Sequence, residues 1–215
     1  MSRSYDDIKS MNELEEKVLK YMRDEWKGQK YCNLRRILED NLEDFQLEFT
    51  AEKGFAGECT GHKITLYTSE LTLEESARFK RNNPEISPLH YKLAKKLSEV
   101  LTVYNLIEYL DQNEYIIMVE DERDIPDSVI YRGQGKKTDP SHPKPVTGHL
   151  NDLCLRFHNS AIFPEQDLVN YINDGFKTPE MVYEKRQMLN SIVAYTISVI
   201  GLLYGVAMGI IAALK

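Results

Sequence analysis

The run Arg132–Lys137, RGQGKK, is the best candidate in this sequence for binding an anion. Gly133 and Gly135 would let backbone N–H groups approach a phosphate closely, and Arg132, Lys136 and Lys137 would add positive charge. The run is neither the G-x-x-x-x-G-K-[ST] phosphate loop nor a G-x-G-x-x-G turn opening a helix, so it names no nucleotide by itself. A solvated basic loop is the plainer reading, and a nucleotide or oligonucleotide signal the sharper one. His62, His90, His142, His149 and His158 show no H-E-x-x-H or other ligand spacing, so neither metal nor cofactor is expected. Cys32, Cys59 and Cys154 are far apart and form no C-x-x-C pair, which points to a reducing compartment. Cys154 falls on the apolar side of its predicted helix with Leu150 and Phe157, the place of a core thiol. No G-x-S-x-G element is present, and no catalytic residue is assigned.

These groups need a scaffold, and the periodicity supplies one of mixed type. Met11–Trp26 reads as an amphipathic helix through Leu14, Val18, Tyr21, Met22 and Trp26. A short helix follows over Leu34–Asn41. Phe45, Leu47 and Phe49 alternate with polar residues as a half-buried strand does, and HKITLYT is its expected partner. Thr72 and Glu75 make a T-x-x-E capping box that opens a helix to about Lys80. Ser87-Pro88 starts another helix, striped by Leu89, Leu93, Leu97, Val100 and Leu101. LIEYL and EYIIMVE, joined at Asp111–Asn113, read as a β-hairpin. Two short helices are expected near Leu150–His158 and Pro164–Asp174. Thr178-Pro179-Glu180 then opens a helix that nothing breaks before the end of the span described next.

The 215 residues carry a net charge of −7, which disfavours nucleic acid and anionic lipid in bulk. The first residues hold no apolar leader segment. Ile192–Leu214 contains no charged residue. About 20 apolar residues suffice to cross a bilayer core of about 30 Å, so a transmembrane helix is expected at 192–214. Lys177, Lys185 and Arg186 precede it and Lys215 alone follows, which would keep the body in the cytoplasm and the chain in the inner membrane. Gly201, Gly205, Gly209 and Ala213 recur every fourth residue, with Ser198 continuing that face. Small residues so spaced let helices pack closely, which predicts a homo-oligomer. Thr196, Ser198 and Tyr204 could then face a shared axis, or the hydroxyls of Thr196 and Ser198 could bond back to their own helix.

The helix from Pro88 followed by the Leu106–Glu120 hairpin resembles the second half of a winged helix, in which a recognition helix leads into a two-stranded wing. That resemblance implies nucleic-acid contact through His90, Lys92, Lys95 and Lys96, but the acidic Glu120–Asp124 directly after it argues against DNA. NYINDGFKTPEMVYEKRQ running straight into the glycine-laddered span resembles the small tail-anchored membrane effectors of bacterial anti-phage defence. That resemblance implies a cytoplasmic domain that senses a signal or partner protein and a tail that perturbs or depolarises the membrane. The alternative is a membrane-tethered regulator or adaptor binding nucleic acid or protein. The expected organisation is an α+β cytoplasmic domain over 1–131, partly winged-helix-like with short β-hairpins, a basic Gly/Pro loop over 132–149 and a small helical segment over 150–178. A juxtamembrane helix over 179–191 and the transmembrane helix complete it.

Overall fold

The structure, a computed structural model, describes residues 11–29, 31–82, 85–119, 127–138, 140, 142–158, 160–176, 183, 186–198 and 200–201. Residues 11–172 form one compact unit, and the chain from Asn173 onward belongs to a second.

Helix α1 (Glu13–Gln29) begins where Asn12 and Glu15 cap each other. The Glu15 N–H donates to Asn12 Oδ1 at 3.0 Å and the Asn12 N–H to Glu15 Oε2 at 2.8 Å. Each bond satisfies a donor that the first turn would leave without a partner. Val18, Leu19, Met22 and Trp26 make its buried stripe. Strand β1 (Cys32–Asn33) follows, and Asn33 caps α2 (Leu34–Asn41) through its side chain.

Strands β2 (Phe45–Lys53) and β3 (Cys59–Thr68) pair antiparallel as expected. β5 (Ser128–Arg132) and β6 (Lys144–Pro145) flank them, giving an antiparallel sheet of order β5-β2-β3-β6. Phe45, Leu47 and Phe49 are buried, so the alternation does mark the core face. Helix α3 (Leu73–Asn82) opens at the Thr72–Glu75 box.

Helix α4 (Pro88–Gln112) runs well past its expected end. Val100, Val103, Tyr104, Ile107 and Leu110 are all buried and keep the helical spacing, so LIEYL continues the stripe and is not a hairpin arm. β4 (Ile116–Val119) does follow α4, but it pairs with β7 (Ala161–Pro164), which also pairs with β1. The result is a second antiparallel sheet of order β1-β7-β4. β5, β6 and α5 (His149–Arg156) are inserted between β4 and β7, and α6 (Gln166–Asn173) follows. Gly175, at φ +71°, lies just beyond α6 in the left-handed region that favours glycine.

The expected transmembrane helix is corrected by the structure. Among the described residues no helix is long and apolar enough to cross a membrane. The final described helix is α7 (186–198 and 200–201). The fold class is therefore mixed α+β with two antiparallel sheets, and the inner-membrane location and single-pass assignment fall with the span. Tyr204, Gly205, Gly209 and Ala213 lie outside the described residues.

Trp26 ties α1 to the small sheet, its indole N–H donating to the Ile162 carbonyl at 3.1 Å in a buried setting. Trp26→Phe removes the donor and leaves that acceptor short of a partner, at an expected cost of about 1–3 kcal/mol. Urea unfolding followed by far-UV circular dichroism checks this, and an unchanged midpoint would show that the bond contributes nothing.

Candidate functional site

The basic loop leaves β5 beside a buried aromatic cluster. The Tyr131 hydroxyl and His158 Nδ1 are 2.7 Å apart, and their rings stack at 5.7 Å. Phe49 packs on both rings at 4.9 Å. Tyr131 thus fixes where Arg132 begins the loop.

From there the loop folds onto carboxylates. The Arg132 N–H donates to Glu39 Oε1 at 3.0 Å, and its guanidinium to Gln46 Oε1 at 2.8 Å. The Lys136 N–H donates to Asp44 Oδ1 at 2.6 Å, and its ammonium to Glu75 Oε1 at 3.1 Å. The Gly133 N–H donates to the Phe45 carbonyl at 3.1 Å. Donors that an anion would need are therefore already given to protein acceptors, and the adjacent charge is balanced. Lys137 is exposed. The glycines have a packing reason of their own. A Cβ at Gly133 would meet the Leu42 carbonyl oxygen at 2.2 Å, and Gly135 sits at φ +107° against Asp44.

The lysines on α4 are engaged in the same way. The Lys92 ammonium reaches the Ser69 hydroxyl at 2.5 Å and carbonyl at 3.0 Å, with Asp44 at 4.0 Å. Desolvation lowers its pKa, partly opposed by the Asp44 charge. Ser69 is 1% exposed, so this contact is a tether from α4 to the end of β3 and offers no nucleophile to a substrate. Lys95 and Lys96 both pair with Glu99, at 3.9 and 2.6 Å.

A cavity of about 420 Å³ between α1, β1 and α2 is lined by Tyr21, Tyr31, Glu25, Glu39, Arg35 and Arg36 among others. Its charges also offset each other, with Arg35 3.0 Å from Glu39 and Arg36 4.0 Å from Glu25. Burial pushes the Tyr21 hydroxyl up, helped by its 2.6 Å bond to Asp40. Among the described residues no group of three or more His, Cys, Asp or Glu is placed to hold a metal.

Helix α7 carries the other candidate residues. Met188, Leu189, Ile192, Val193, Tyr195, Ile197 and Ile200 are all exposed, from 50 to 73%. The Thr196 hydroxyl donates to the Ile192 carbonyl at 2.8 Å and the Ser198 hydroxyl to the Ala194 carbonyl at 2.9 Å. Both are bonded back to their own helix rather than held out toward an axis. A Cβ at Gly201 would meet nothing within 4 Å. Sequence reasoning found these residues but missed Glu39, Asp44, Gln46 and Ser69, whose roles arise only from pairing across elements. Glu75 was visible as a capping residue, though not as the partner of Lys136.

The geometry must stand alone. Neither family models, nor curated proteins, nor solved structures give a match to this chain.

Burial pushes the Cys32 and Cys154 thiols up to about 12, while Cys59 is exposed. A disulfide-exchange reagent at pH 8 should titrate Cys59 alone in the native chain, and all three thiols after denaturation. Native labelling of Cys154 would mean that its helix opens. Glu75 is held down to about 2, first by the Thr72 N–H and then by the Lys136 ammonium. Its lowered pKa means that the capping and tether bonds are intact above the ordinary value of 4.5 and are lost as pH falls through about 2. Carboxyl NMR titration should place the midpoint near 2, and Lys136→Met should raise it. A midpoint that Lys136→Met leaves in place would remove the ion pair from the account.

Proposed function

We propose that the chain is a self-associating sensor or adaptor, in which α7 packs against α7 of other copies and the 11–172 unit engages a partner protein. The observation that carries this reading is the uncovered apolar surface of α7. A helix with seven large apolar side chains half exposed or more needs something to cover it. Leu189, Ile192, Val193, Thr196 and Ile200 fall at the spacing of a helix–helix seam. Full burial is worth about 1.5–3 kcal/mol for each large apolar side chain. These side chains are about half exposed, so those of two helices together gain an amount of the same size as an association cost of about 4–15 kcal/mol.

A protein partner suits the 11–172 unit better than an anionic signal, because Arg132, Lys136 and Lys92 already have acceptors. With β2, β3 and α3, and then β5, β6 and α5, set aside as insertions, the order α1, β1, α2, α4, β4, β7 and the β1-β7-β4 sheet favour a second reading in which a winged-helix-like body meets nucleic acid. The pairing of Lys95 and Lys96 with Glu99 weighs against it, since phosphate binding would have to compete with that carboxylate.

Sedimentation velocity of the full chain tests the proposal. The expected result is a species whose mass is a multiple of 25.0 kDa. Val193→Asp with Ile200→Asp should weaken association at least about tenfold, since each buries a charge in the seam. A chain that stays monomeric, free or held by lipid vesicles, would overturn the reading, as would an assembly that the double variant leaves intact.

A further inference from the structure

We infer that the cavity between α1, β1 and α2 is a binding site for a free α-amino acid with an aromatic side chain. The two helices meet through polar rungs spaced one turn apart along α1. The Lys17 ammonium donates to the Asn41 carbonyl at 2.8 Å, and the Tyr21 hydroxyl to Asp40 Oδ2 at 2.6 Å. The third rung, Glu25 to Arg36, stands at 4.0 Å, too long for a hydrogen bond. The first two rungs brace the helices, and the cavity of about 420 Å³ lies where the third is open. That volume is at the small end of the range for small-molecule sites, about 300–1,000 Å³.

The open rung sets the ligand's head group. Glu25 and Arg36 carry one charge of each sign close together, so a simple anion would meet Glu25 and a simple cation would meet Arg36. Charge-assisted hydrogen bonds form at about 2.7–2.9 Å, and the 4.0 Å separation falls short of that. A ligand with an ammonium and a carboxylate on one carbon gives Glu25 a donor and Arg36 a two-pronged acceptor together. An α-amino acid is the simplest such ligand. The Arg36 side chain is 58% exposed and that of Glu25 29%, so both are reached from solvent. Arg35 and Glu39 are held elsewhere. They are 3.0 Å apart, Arg35 lies over the Tyr131 ring, and Glu39 also accepts the Arg132 N–H.

The walls set the side chain. Tyr31 lines the cavity while 43% exposed, and its ring packs on Phe163 of β7 at 5.8 Å. Tyr21 lines it too, fixed by its bond to Asp40. A flat ring set against these phenols gains offset or edge-to-face contacts that an aliphatic chain does not. Cys32 also lines the cavity but is buried, and its thiol donates to the Met22 carbonyl at 3.5 Å. It is therefore an inert part of the wall, and the site binds without reacting.

Isothermal titration calorimetry of the full chain tests this with phenylalanine, tyrosine, tryptophan and leucine, and with N-acetylphenylalanine and phenylalanine amide. At least one aromatic amino acid should bind with a Kd below about 1 mM. Leucine and the two blocked derivatives, each short of one charge, should bind at least about tenfold more weakly. Arg36→Gln should weaken binding by at least about tenfold as well. Arg36→Lys keeps the charge without the fork and should give a smaller loss, which guards against a variant that fails to fold. The proposal is overturned if no aromatic amino acid binds, or if the blocked derivatives or leucine bind as tightly. It is also overturned if both Arg36 variants keep the native affinity. The site lies within the 11–172 unit and shares no residue with the α7 seam, so its failure leaves that reading standing.

Discussion

The contact between the Tyr131 hydroxyl and His158 Nδ1 satisfies a polar group buried on the four-stranded sheet. A phenol placed in the core without an acceptor or donor costs several times what a satisfied one contributes. The 2.7 Å contact removes that cost and joins the sheet to the end of α5. Phe49 packs on both rings from the neighbouring strand, and the Arg35 guanidinium of α2 lies 5.5 Å from the Tyr131 ring centre. One cluster therefore holds β2, β5, α2 and the approach to β7. The loop after β5 starts from a fixed point, and β7 enters the small sheet from another.

That constraint explains how the fold accommodates its insertion. β4 and β7 are adjacent in space, yet β5, β6 and α5 lie between them in sequence. Closing so long a connection costs chain entropy that grows slowly with length, so the inserted part must be anchored at intervals to bring β7 back. The Tyr131–His158 contact is one anchor. The bond from the Trp26 indole to the Ile162 carbonyl is another, made directly on β7. The Glu165 N–H on the Tyr115 carbonyl, 2.9 Å, is a third, just beyond the β4–β7 pairing.

Local signals were legible in the sequence, and distant pairings were not. The α2 helix occupies Leu34–Asn41 as its pattern indicates, and the Phe45, Leu47, Phe49 alternation marks the buried face of β2. Both are decided by neighbours within a turn or a strand. β4 was found as a strand but given the wrong partner, because IIMV has no feature that distinguishes β7 from LIEYL. LIEYL itself was misread because Leu106, Ile107, Tyr109 and Leu110 suit a strand locally, and only Val100, Val103 and Tyr104 upstream show the helical stripe. The basic loop was found by composition. Its neutralisation by Glu39, Asp44 and Glu75 was hidden, since those carboxylates come from three separate elements.

The same separation of local from distant decides what kind of recognition this body favours. A charged surface attracts ligands when its charges lack partners, and here Lys136, Lys95 and Lys96 each lie beside a carboxylate, Lys92 donates to the Ser69 carbonyl and Arg132 donates to the Gln46 amide oxygen. An anion must displace those acceptors before it gains anything, so net attraction is small. The apolar groups behave differently. Ile117 and Val119 on the small sheet, and Ile192, Val193, Ile197 and Ile200 on α7, are half exposed or more. Covering them releases water at no loss of existing bonds, and about 25 cal/mol accrues for each Å² removed from solvent. On these two described surfaces, burial rather than ion pairing is the available source of binding energy.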